Sequence, residues 1–181
     1  MDRLRLATIW LGGCSGCHMS FLDLDEWLFE LAQHIDLVYS PLADVKEYPD
    51  YVDVALVEGA VANEDNLHLI RQVREHTRLL VAFGDCAVTG NVTALRNSLG
   101  APEALLRTIY IERAEIAGCL PHAPGIVPRL LDKVQPVHKV VPVDVYLPGC
   151  PPPAPRIRAL LEQIIAGGDI RLTGREMIKF G

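Results

Sequence analysis

The sequence lacks a hydrophobic run long enough to cross a membrane. Its most apolar stretch, residues 52–62, is interrupted by Asp53 and Glu58 and is far shorter than the roughly 20 residues of a spanning helix. The first residues, Met1 to Arg5, contain neither a secretory hydrophobic region nor a twin-arginine signal. We therefore expect a cytoplasmic protein that makes no contact with a membrane.

Clustered basic residues are also missing from the sequence. There are 17 Lys and Arg residues against 23 Asp and Glu residues, which gives a formal net charge of −6. Since nucleic-acid binding needs a basic patch, nucleic acid is not an expected partner. The length of 181 residues and the 50% hydrophobic content suit one well-filled core. We expect a single domain over residues 1–181.

Short apolar segments alternate with amphipathic ones along the chain. The predicted strands are residues 4–11, 35–39, 51–57, 78–83 and 144–147. The predicted helices are residues 20–33 with Ser20 as the cap, 64–76 with Asn63 as the cap, 101–111, 127–134 and 155–166. This alternation predicts an α/β fold with a mostly parallel central sheet and helices on both faces.

Four of the five cysteines follow predicted strands. Cys14 and Cys17 follow the first strand, Cys86 the fourth and Cys150 the fifth. Because ligands of an open parallel sheet bind beyond the carboxyl ends of its strands, these four thiols are expected to meet at one edge. Cytosolic thiols stay reduced, so the cysteines indicate a metal site or catalysis rather than disulfides.

The pattern favours a [4Fe–4S] cluster held by these four thiolates. Thiolates are soft anionic ligands for iron, and a CxxC pair supplies two of them from one turn. Gly13 and Gly16 permit tight turns and leave backbone N–H groups free to approach cluster sulfides. Pro151 follows Cys150, and its rigid ring holds that thiolate in place.

Two other metal or redox sites compete with the cluster. A structural zinc site would more often show a second CxxC or an HxxxH, and the sequence has neither. A thioredoxin-like dithiol would account for Cys14 and Cys17 but leaves Cys86 and Cys150 unexplained. The fifth cysteine, Cys119, follows no predicted strand. We expect it to be a buried small hydrophobic residue, with a ligand role in place of Cys86 as the alternative.

Three polar residues adjoin the cysteine loops. Glu58 ends the third strand and is expected to cap a loop or an interface; alternatively, it tunes protons or binds iron on oxidation. His18 is expected to be solvated or to cap an interface, with a hydrogen bond to a cluster sulfur as the alternative. Asp85 is expected to fix the loop of Cys86 through local hydrogen bonds.

Trp10, at the end of the first strand, is expected in the core.

Four sequence motifs together resemble a known family. They are Trp10-Leu11-Gly12-Gly13-Cys14-Ser15-Gly16-Cys17, Val57-Glu58-Gly59-Ala60, Gly84-Asp85-Cys86-Ala87 and Leu147-Pro148-Gly149-Cys150-Pro151-Pro152. They are similar to the proximal-cluster motifs of [NiFe] hydrogenase small subunits, and most of all to the short small subunit of soluble NAD(P)-reducing hydrogenases. A more distant resemblance is to the cluster-bearing 20 kDa-type subunit of respiratory complex I, in which the first two cysteines are adjacent.

The resemblance implies a flavodoxin-like domain whose four cysteines hold one [4Fe–4S] cluster. It also implies a partner large subunit that carries the Ni–Fe centre, and diaphorase subunits that carry Fe–S clusters and a flavin. Only Cys119 is left over, so a second four-thiolate cluster is not expected in this chain. A bound FMN is not expected either, because the loop that would cradle its phosphate carries Cys14 and Cys17. The alternative functions are a structural zinc module, a free-standing electron carrier, or the small subunit of another hydrogenase or complex I-like oxidoreductase.

Overall fold

The computed structural model of the chain describes residues 3–180, so residues 1–2 and 181 of the predicted domain lie outside the described residues. The described residues form seven strands: β1 Leu4–Trp10, β2 Ile35–Tyr39, β3 Val52–Glu58, β4 Val61–Asn63, β5 Thr77–Phe83, β6 Leu130–Gln135 and β7 Val145–Leu147. Five of them form a parallel sheet in the order β2-β1-β3-β5-β7, while β4 and β6 pair separately as an antiparallel ribbon.

The order of the five sheet strands is the flavodoxin-like order, with the switch in direction between β1 and β3. All four neighbouring pairs in the sheet are parallel. The expected α/β, flavodoxin-like architecture is therefore confirmed. Since every strand of the sheet runs the same way, the loops after β1, β3, β5 and β7 all leave from one edge.

Within residues 3–180, eight α-helices connect and cover the strands. They are α1 Gly16–Leu22, α2 Trp27–Leu31, α3 Glu64–Glu75, α4 Asp85–Thr89, α5 Asn91–Ala94, α6 Pro102–Arg107, α7 Ala154–Ala166 and α8 Arg175–Ile178. Short 3₁₀ turns follow at Leu95–Ser98 and Val137–Lys139, and a π turn at Thr108–Glu112. Among the described residues, no helix combines the length and the apolar character needed to span a bilayer.

The core lies on both faces of the sheet because successive side chains of a strand point to opposite sides. In β1, Ala7 and Ile9 pack into the cluster that contains Ile70 of α3. Leu6 of the same strand packs into the opposite cluster, which contains Ile157 of α7. Burying a side chain of this size contributes about 1.5–3 kcal/mol. The two hydrophobic clusters therefore fix the sheet from both faces, and with it the edge from which the cysteine loops leave.

The predicted single helix over residues 20–33 is wrong. Two helices occupy the region, and the first begins at Gly16, four residues earlier than expected. Ser15, in the left-handed conformation with φ 64°, starts the helix immediately after Cys14. Ser20 lies inside α1 rather than capping it, and its hydroxyl donates a hydrogen bond to the carbonyl of Pro152.

The predicted helix over residues 127–134 is also wrong, because β6 occupies most of this segment. Two side chains from the preceding 3₁₀ turn satisfy its backbone groups. Arg96 donates to the carbonyl of Leu131, and the amide of Asn97 binds both the N–H and the carbonyl of Val134. Pairing with β4 thus overrides the local helical pattern. In contrast, Asn63 caps α3 as predicted, with its Oδ1 2.8 Å from the amide nitrogen of Asn66.

Candidate functional site

The sheet edge brings the loops of four cysteines together. Cys14 and Cys17 lie on the loop and first turn after β1, Cys86 lies in α4 directly after β5, and Cys150 follows β7. The thiols are close enough for Cys14, Cys86 and Cys150 each to influence the ionisation of Cys17 electrostatically. The segments that carry the four cysteines therefore leave from one edge of the sheet, as the sequence predicted.

Hydrogen bonds join the loop of Cys86 to the loop of Cys150. The amide of Gly84 donates to the carbonyl of Leu147 at 2.8 Å, and the amide of Asp85 donates to the carbonyl of Gly149 at 2.9 Å. In return, the amide of Gly149 donates to Asp85 Oδ1 at 2.6 Å. Asp85 was expected to fix its loop through local bonds. Beyond such a local bond, its carboxylate bridges two loops that are separated by 64 residues in the sequence.

The loop of Cys150 is also tied to the helices on either side. Ser20 Oγ of α1 donates to the carbonyl of Pro152 at 2.6 Å. The buried guanidinium of Arg156, in α7, donates to the carbonyl of Pro148 at 2.6 Å. The peptide bond between Cys150 and Pro151 is cis. Both sides of this cysteine are thus anchored to regular structure.

Gly84 allows the β5 loop to lie against the β1 loop. Its φ of 85° and ψ of 162° fall in a region that only glycine adopts readily. A Cβ on Gly84 would overlap Cys17 Sγ and would lie 3.4 Å from the carbonyl oxygen of Gly149. A side chain here would therefore displace the sulfur of Cys17.

Gly13 and Gly16 lie where close approach was expected. A Cβ on Gly13 would stand 3.2 Å from the Cα of Gly59 and 3.6 Å from Glu58 Oε1. A Cβ on Gly16 would stand 3.2 Å from Cys14 Sγ. The backbone at both positions is thus held near the strand ends and the thiol.

The four thiols divide into two buried and two exposed groups. Cys17 and Cys86 are buried, whereas Cys14 and Cys150 are exposed. Burial is the main cause that raises the pKa of the Cys17 thiol well above its ordinary value, and the negative charge of Glu58 raises it further. Burial also raises the pKa of the Cys86 thiol, although the nearby Thr93 side chain acts in the opposite direction. A bound cation would offset both effects, because metals bind cysteine as the thiolate.

Glu58 and His18 form a buried pair beside this edge. Glu58 is 1% exposed and His18 is 4% exposed. The backbone amide of His18 donates to Glu58 Oε2 at 2.9 Å, and its ring Nδ1 contacts the same oxygen. The expectation of a solvated His18 is wrong, because α1 starts early enough to turn this ring toward the end of β3. Within residues 3–180, its Nε2 has no hydrogen-bond partner.

Two residues expected in the core lie at the surface instead. Cys119 is exposed and belongs to the long connection between the π turn and β6. Trp10 is 46% exposed because it is the last residue of β1, where the strand leaves the covered part of the sheet. Both expectations of burial are wrong. An apolar sequence context did not reveal that these positions lie beyond the two core layers.

Asn91 is a site residue that the sequence analysis missed. Its side-chain Nδ2 donates a hydrogen bond to Cys150 Sγ at 3.3 Å. Its positive φ of 34° is one that asparagine tolerates better than most residues. An asparagine after Gly90, five residues beyond Cys86, was the available signal, but it carried no indication of a contact with Cys150.

The donor set suits an iron–sulfur cluster. Within the part of the chain that the structure describes, no three Cys, His, Asp or Glu side chains surround a position for one metal ion. A [4Fe–4S] cubane gives each thiolate an iron of its own, so its ligands surround a body larger than one ion. The four thiols at this sheet edge match that donor set in type and number. Cys14, Cys17, Cys86 and Cys150 stay the predicted ligands.

Comparison with protein families and sequences identifies relatives of the chain. The model of the NADH ubiquinone oxidoreductase 20 Kd subunit family matches residues 14–164. One subunit of the F420-non-reducing hydrogenase vhu of Methanococcus voltae is 44% identical over 87% of this chain and 54% of its own length. The delta subunit of the NAD-reducing hydrogenase HoxS of Cupriavidus necator is 37% identical over 91% of this chain and 80% of its own length. The chain thus spans about half the length of the first relative and four fifths of the second.

Solved structures show the same fold. A crystal structure of an NAD+-reducing [NiFe]-hydrogenase in the H2-reduced state contains a chain that superposes with a TM-score of 0.94 and 38% identity, covering 99% of this chain and 100% of that one. An H2-activated [NiFeSe]-hydrogenase of Dm. baculatum gives a TM-score of 0.59 at 17% identity, covering 98% of this chain and 69% of that one. The second likeness concerns the fold alone.

Proposed function

The chain belongs to the family of NADH ubiquinone oxidoreductase 20 Kd subunits and related hydrogenase subunits, and on this premise we propose that it is the electron-transfer small subunit of an NAD(P)-reducing [NiFe] hydrogenase. The observation that carries the proposal is the convergence of three loops, which carry four cysteines, on one edge of a fold that superposes on a chain of such an enzyme.

In this role, Cys14, Cys17, Cys86 and Cys150 hold one [4Fe–4S] cluster, which supplies a one-electron donor and acceptor when bound. A Ni–Fe centre in a partner large subunit would supply the two electrons, and release the two protons, of H2 oxidation. The cluster held by these cysteines would relay the electrons one at a time toward diaphorase subunits that carry Fe–S clusters and a flavin, where NAD(P)+ would take up both electrons and one proton to give NAD(P)H. The reverse direction would balance in the same way.

The remaining residues around the cysteines keep the ligands in place. The predicted supporting residues are Gly13, Gly16, His18, Glu58, Asp85 and Pro151. Asp85 joins two ligand loops, and the buried pair of His18 and Glu58 closes the end of β3 beneath α1. Fixing ligand geometry in this way tunes both metal affinity and reduction potential.

The surface beside the cysteines suits an obligate partner. Trp10, Met19 and Leu22, from the end of β1 and from α1, are all exposed large apolar residues. Electron transfer requires the cluster to lie close to the Ni–Fe centre, so we assign this surface to the large subunit. Obligate interfaces commonly bury more than about 2,000 Å². We further propose that residues 1–181 act as one domain and that the complex is cytoplasmic, where its thiols stay reduced.

The test is metal content in the complex purified with its co-expressed partner subunits. We expect about four irons and four sulfides per copy of this chain beyond those of the partners, and an EPR signal on reduction. Serine at Cys17 or Cys86 is expected to remove this cluster. The matched control, Cys119→Ser, is expected to retain it. One zinc per copy of this chain, with no iron beyond that of the partners, would refute the proposal, and a stable cluster-bearing monomer would favour a free-standing carrier.

A second candidate is the small subunit of a hydrogenase with another electron acceptor. It is favoured by the 44% identity to one chain of an F420-non-reducing hydrogenase of Methanococcus voltae. Affinity purification of this chain from its own cells separates the two candidates. Nickel together with a flavin subunit and H2-dependent reduction of NAD(P)+ supports the first. Nickel without NAD(P)+ reduction supports the second.

A further inference from the structure

The amide of Asn91 is directed at the sulfur of a predicted cluster ligand. Its Nδ2 lies 3.3 Å from Cys150 Sγ, and the two residues are 59 positions apart in the sequence. An amide nitrogen has hydrogens to donate and no lone pair to accept with, so the sulfur is the acceptor. The contact joins the segment after β5 to the loop after β7.

The backbone around Asn91 holds this amide in position. Gly90, with φ 89°, ends α4, and its amide donates to the carbonyl of Cys86 at 2.9 Å. Two residues after Asn91, the hydroxyl of Thr93 donates to the carbonyl of Gly12 at 3.0 Å. The segment is thus fastened to the loops of Cys86 and Cys14 on either side of Asn91. The amide is therefore fixed relative to all three loops that carry the predicted ligands.

The position of Cys150 gives this contact its importance. Cys150 is exposed, so of the four thiols it is one of the two that water reaches most easily. A fixed amide donor supplies a hydrogen bond that persists when a partner subunit covers the surface and removes that water. Hydrogen bonds to cluster sulfurs are one of the factors that set the reduction potential.

We propose that Asn91 is a positioning residue that raises the reduction potential of the cluster through its hydrogen bond to the Cys150 thiolate. Adding an electron increases the negative charge on the ligand sulfurs, and a donor to sulfur stabilises that charge. The reduced state therefore gains more from the contact than the oxidised state does. This inference rests on the proposed function, since it requires that Cys150 bind the cluster.

Two variants remove the donor in different ways. Asn91→Gly deletes the side chain, and glycine accepts the positive φ at this position without strain. Asn91→Asp keeps the size of the side chain and replaces the donor with a charged acceptor. The matched control is Asn97→Asp, which adds the same charge in a neighbouring turn. The amide of Asn97 binds the backbone of Val134 and no sulfur.

The readout is the midpoint potential of this cluster, titrated by EPR in the complex with its partner subunits. Both Asn91 variants are expected to shift it to more negative values, with the larger shift in Asn91→Asp. At a fixed potential, loss of one hydrogen bond is expected to change the ratio of oxidised to reduced cluster by up to about tenfold, which corresponds to about 59 mV. Asn97→Asp is expected to remain near the wild-type value.

A measurement on the unaltered protein tests the contact without any variant. Asparagine labelled with ¹⁵N in the side-chain amide should give a ¹⁵N coupling to the reduced cluster in pulsed EPR. Absence of this coupling would overturn the inference, even if the Asn91 variants failed to assemble. So would iron-replete Asn91 variants with the wild-type potential. Wild-type protein without iron and sulfide would instead overturn the proposed function itself.

Discussion

Replacement of Gly84 by alanine tests whether the glycine at this loop is there to admit a sulfur. Gly84 has φ 85° and ψ 162°, and a Cβ built on it would overlap Cys17 Sγ. The same Cβ would lie 3.7 Å from Cys17 Cβ and 3.4 Å from the carbonyl oxygen of Gly149, so neighbouring atoms leave it little space. The alanine and the sulfur cannot both keep their positions.

The size of the effect follows from two separate terms. An alanine with this backbone conformation costs about 1–3 kcal/mol of strain. The overlap adds a second term, because nonbonded heavy atoms prefer separations of about 3.5–4.0 Å and Cys17 Sγ must move by more than about 1 Å to restore one. Metal–ligand distances tolerate only about 0.2 Å. We therefore expect Gly84→Ala to lose most of the iron of this cluster, not merely some stability.

Gly100→Ala is the matched control for this experiment. Gly100 also has a positive φ, 99°, but a Cβ there would meet nothing within 4 Å. It should lose about 1–3 kcal/mol of unfolding free energy from strain and keep its iron. Iron and sulfide content of the purified complexes and the unfolding free energy in urea distinguish the two variants. A Gly84→Ala protein with wild-type iron content would refute the steric reasoning.

Two further predictions concern buried hydroxyl groups. Ser20→Ala removes the donor to the carbonyl of Pro152, which is 2.6 Å away. Urea unfolding should then show an unfolding free energy lower by about 1–3 kcal/mol, because a buried carbonyl is left without its partner. An unchanged unfolding free energy would mean that water replaces the hydroxyl. The hydroxyl of Tyr48 lies 2.6 Å from Thr77 Oγ1, and burial raises its pKa from 10.0 to about 12. The unfolded state therefore loses the Tyr48 proton at a lower pH than the folded state does. The contribution of this proton to the free energy of unfolding is complete below pH 10, and it is lost as the pH rises toward 12, at about 1.4 kcal/mol per pH unit. Tyr48→Phe should lower the free energy of unfolding by about 1 kcal/mol at pH 7 and remove this part of its fall at alkaline pH. The exposed control, Tyr110→Phe, should leave that fall unchanged. An identical pH profile of the unfolding free energy for Tyr48→Phe and wild type would contradict the assignment.

The parallel sheet and the meeting of the three cysteine-bearing loops could both be predicted from the sequence. Buried parallel strands are nearly continuous apolar runs, and β1, β3 and β5 stand out for that reason. Because the cysteines follow strands of one parallel sheet, topology alone brings their loops to one edge. Their role as ligands of one cluster stays a prediction, since it depends on the metal as well as on the chain.

The environment of individual side chains around the site could not be predicted. His18 was expected at the surface but is buried against Glu58, because the start of α1 depends on the left-handed conformation of a single residue, Ser15. The segment of β6 has a pattern that fits a helix, and only its pairing with β4 and its bonds to Asn97 make it a strand.

The sequence by itself determined which residues are chemically able to bind iron and which strands they follow, because residue type and periodicity are local properties. Tertiary structure alone decided which groups lie against those thiols. Asn91 reaches Cys150 across 59 residues, and Gly84 makes room for Cys17 across 67. Such contacts depend on how separate loops pack against each other, and no local pattern in the chain specifies that packing.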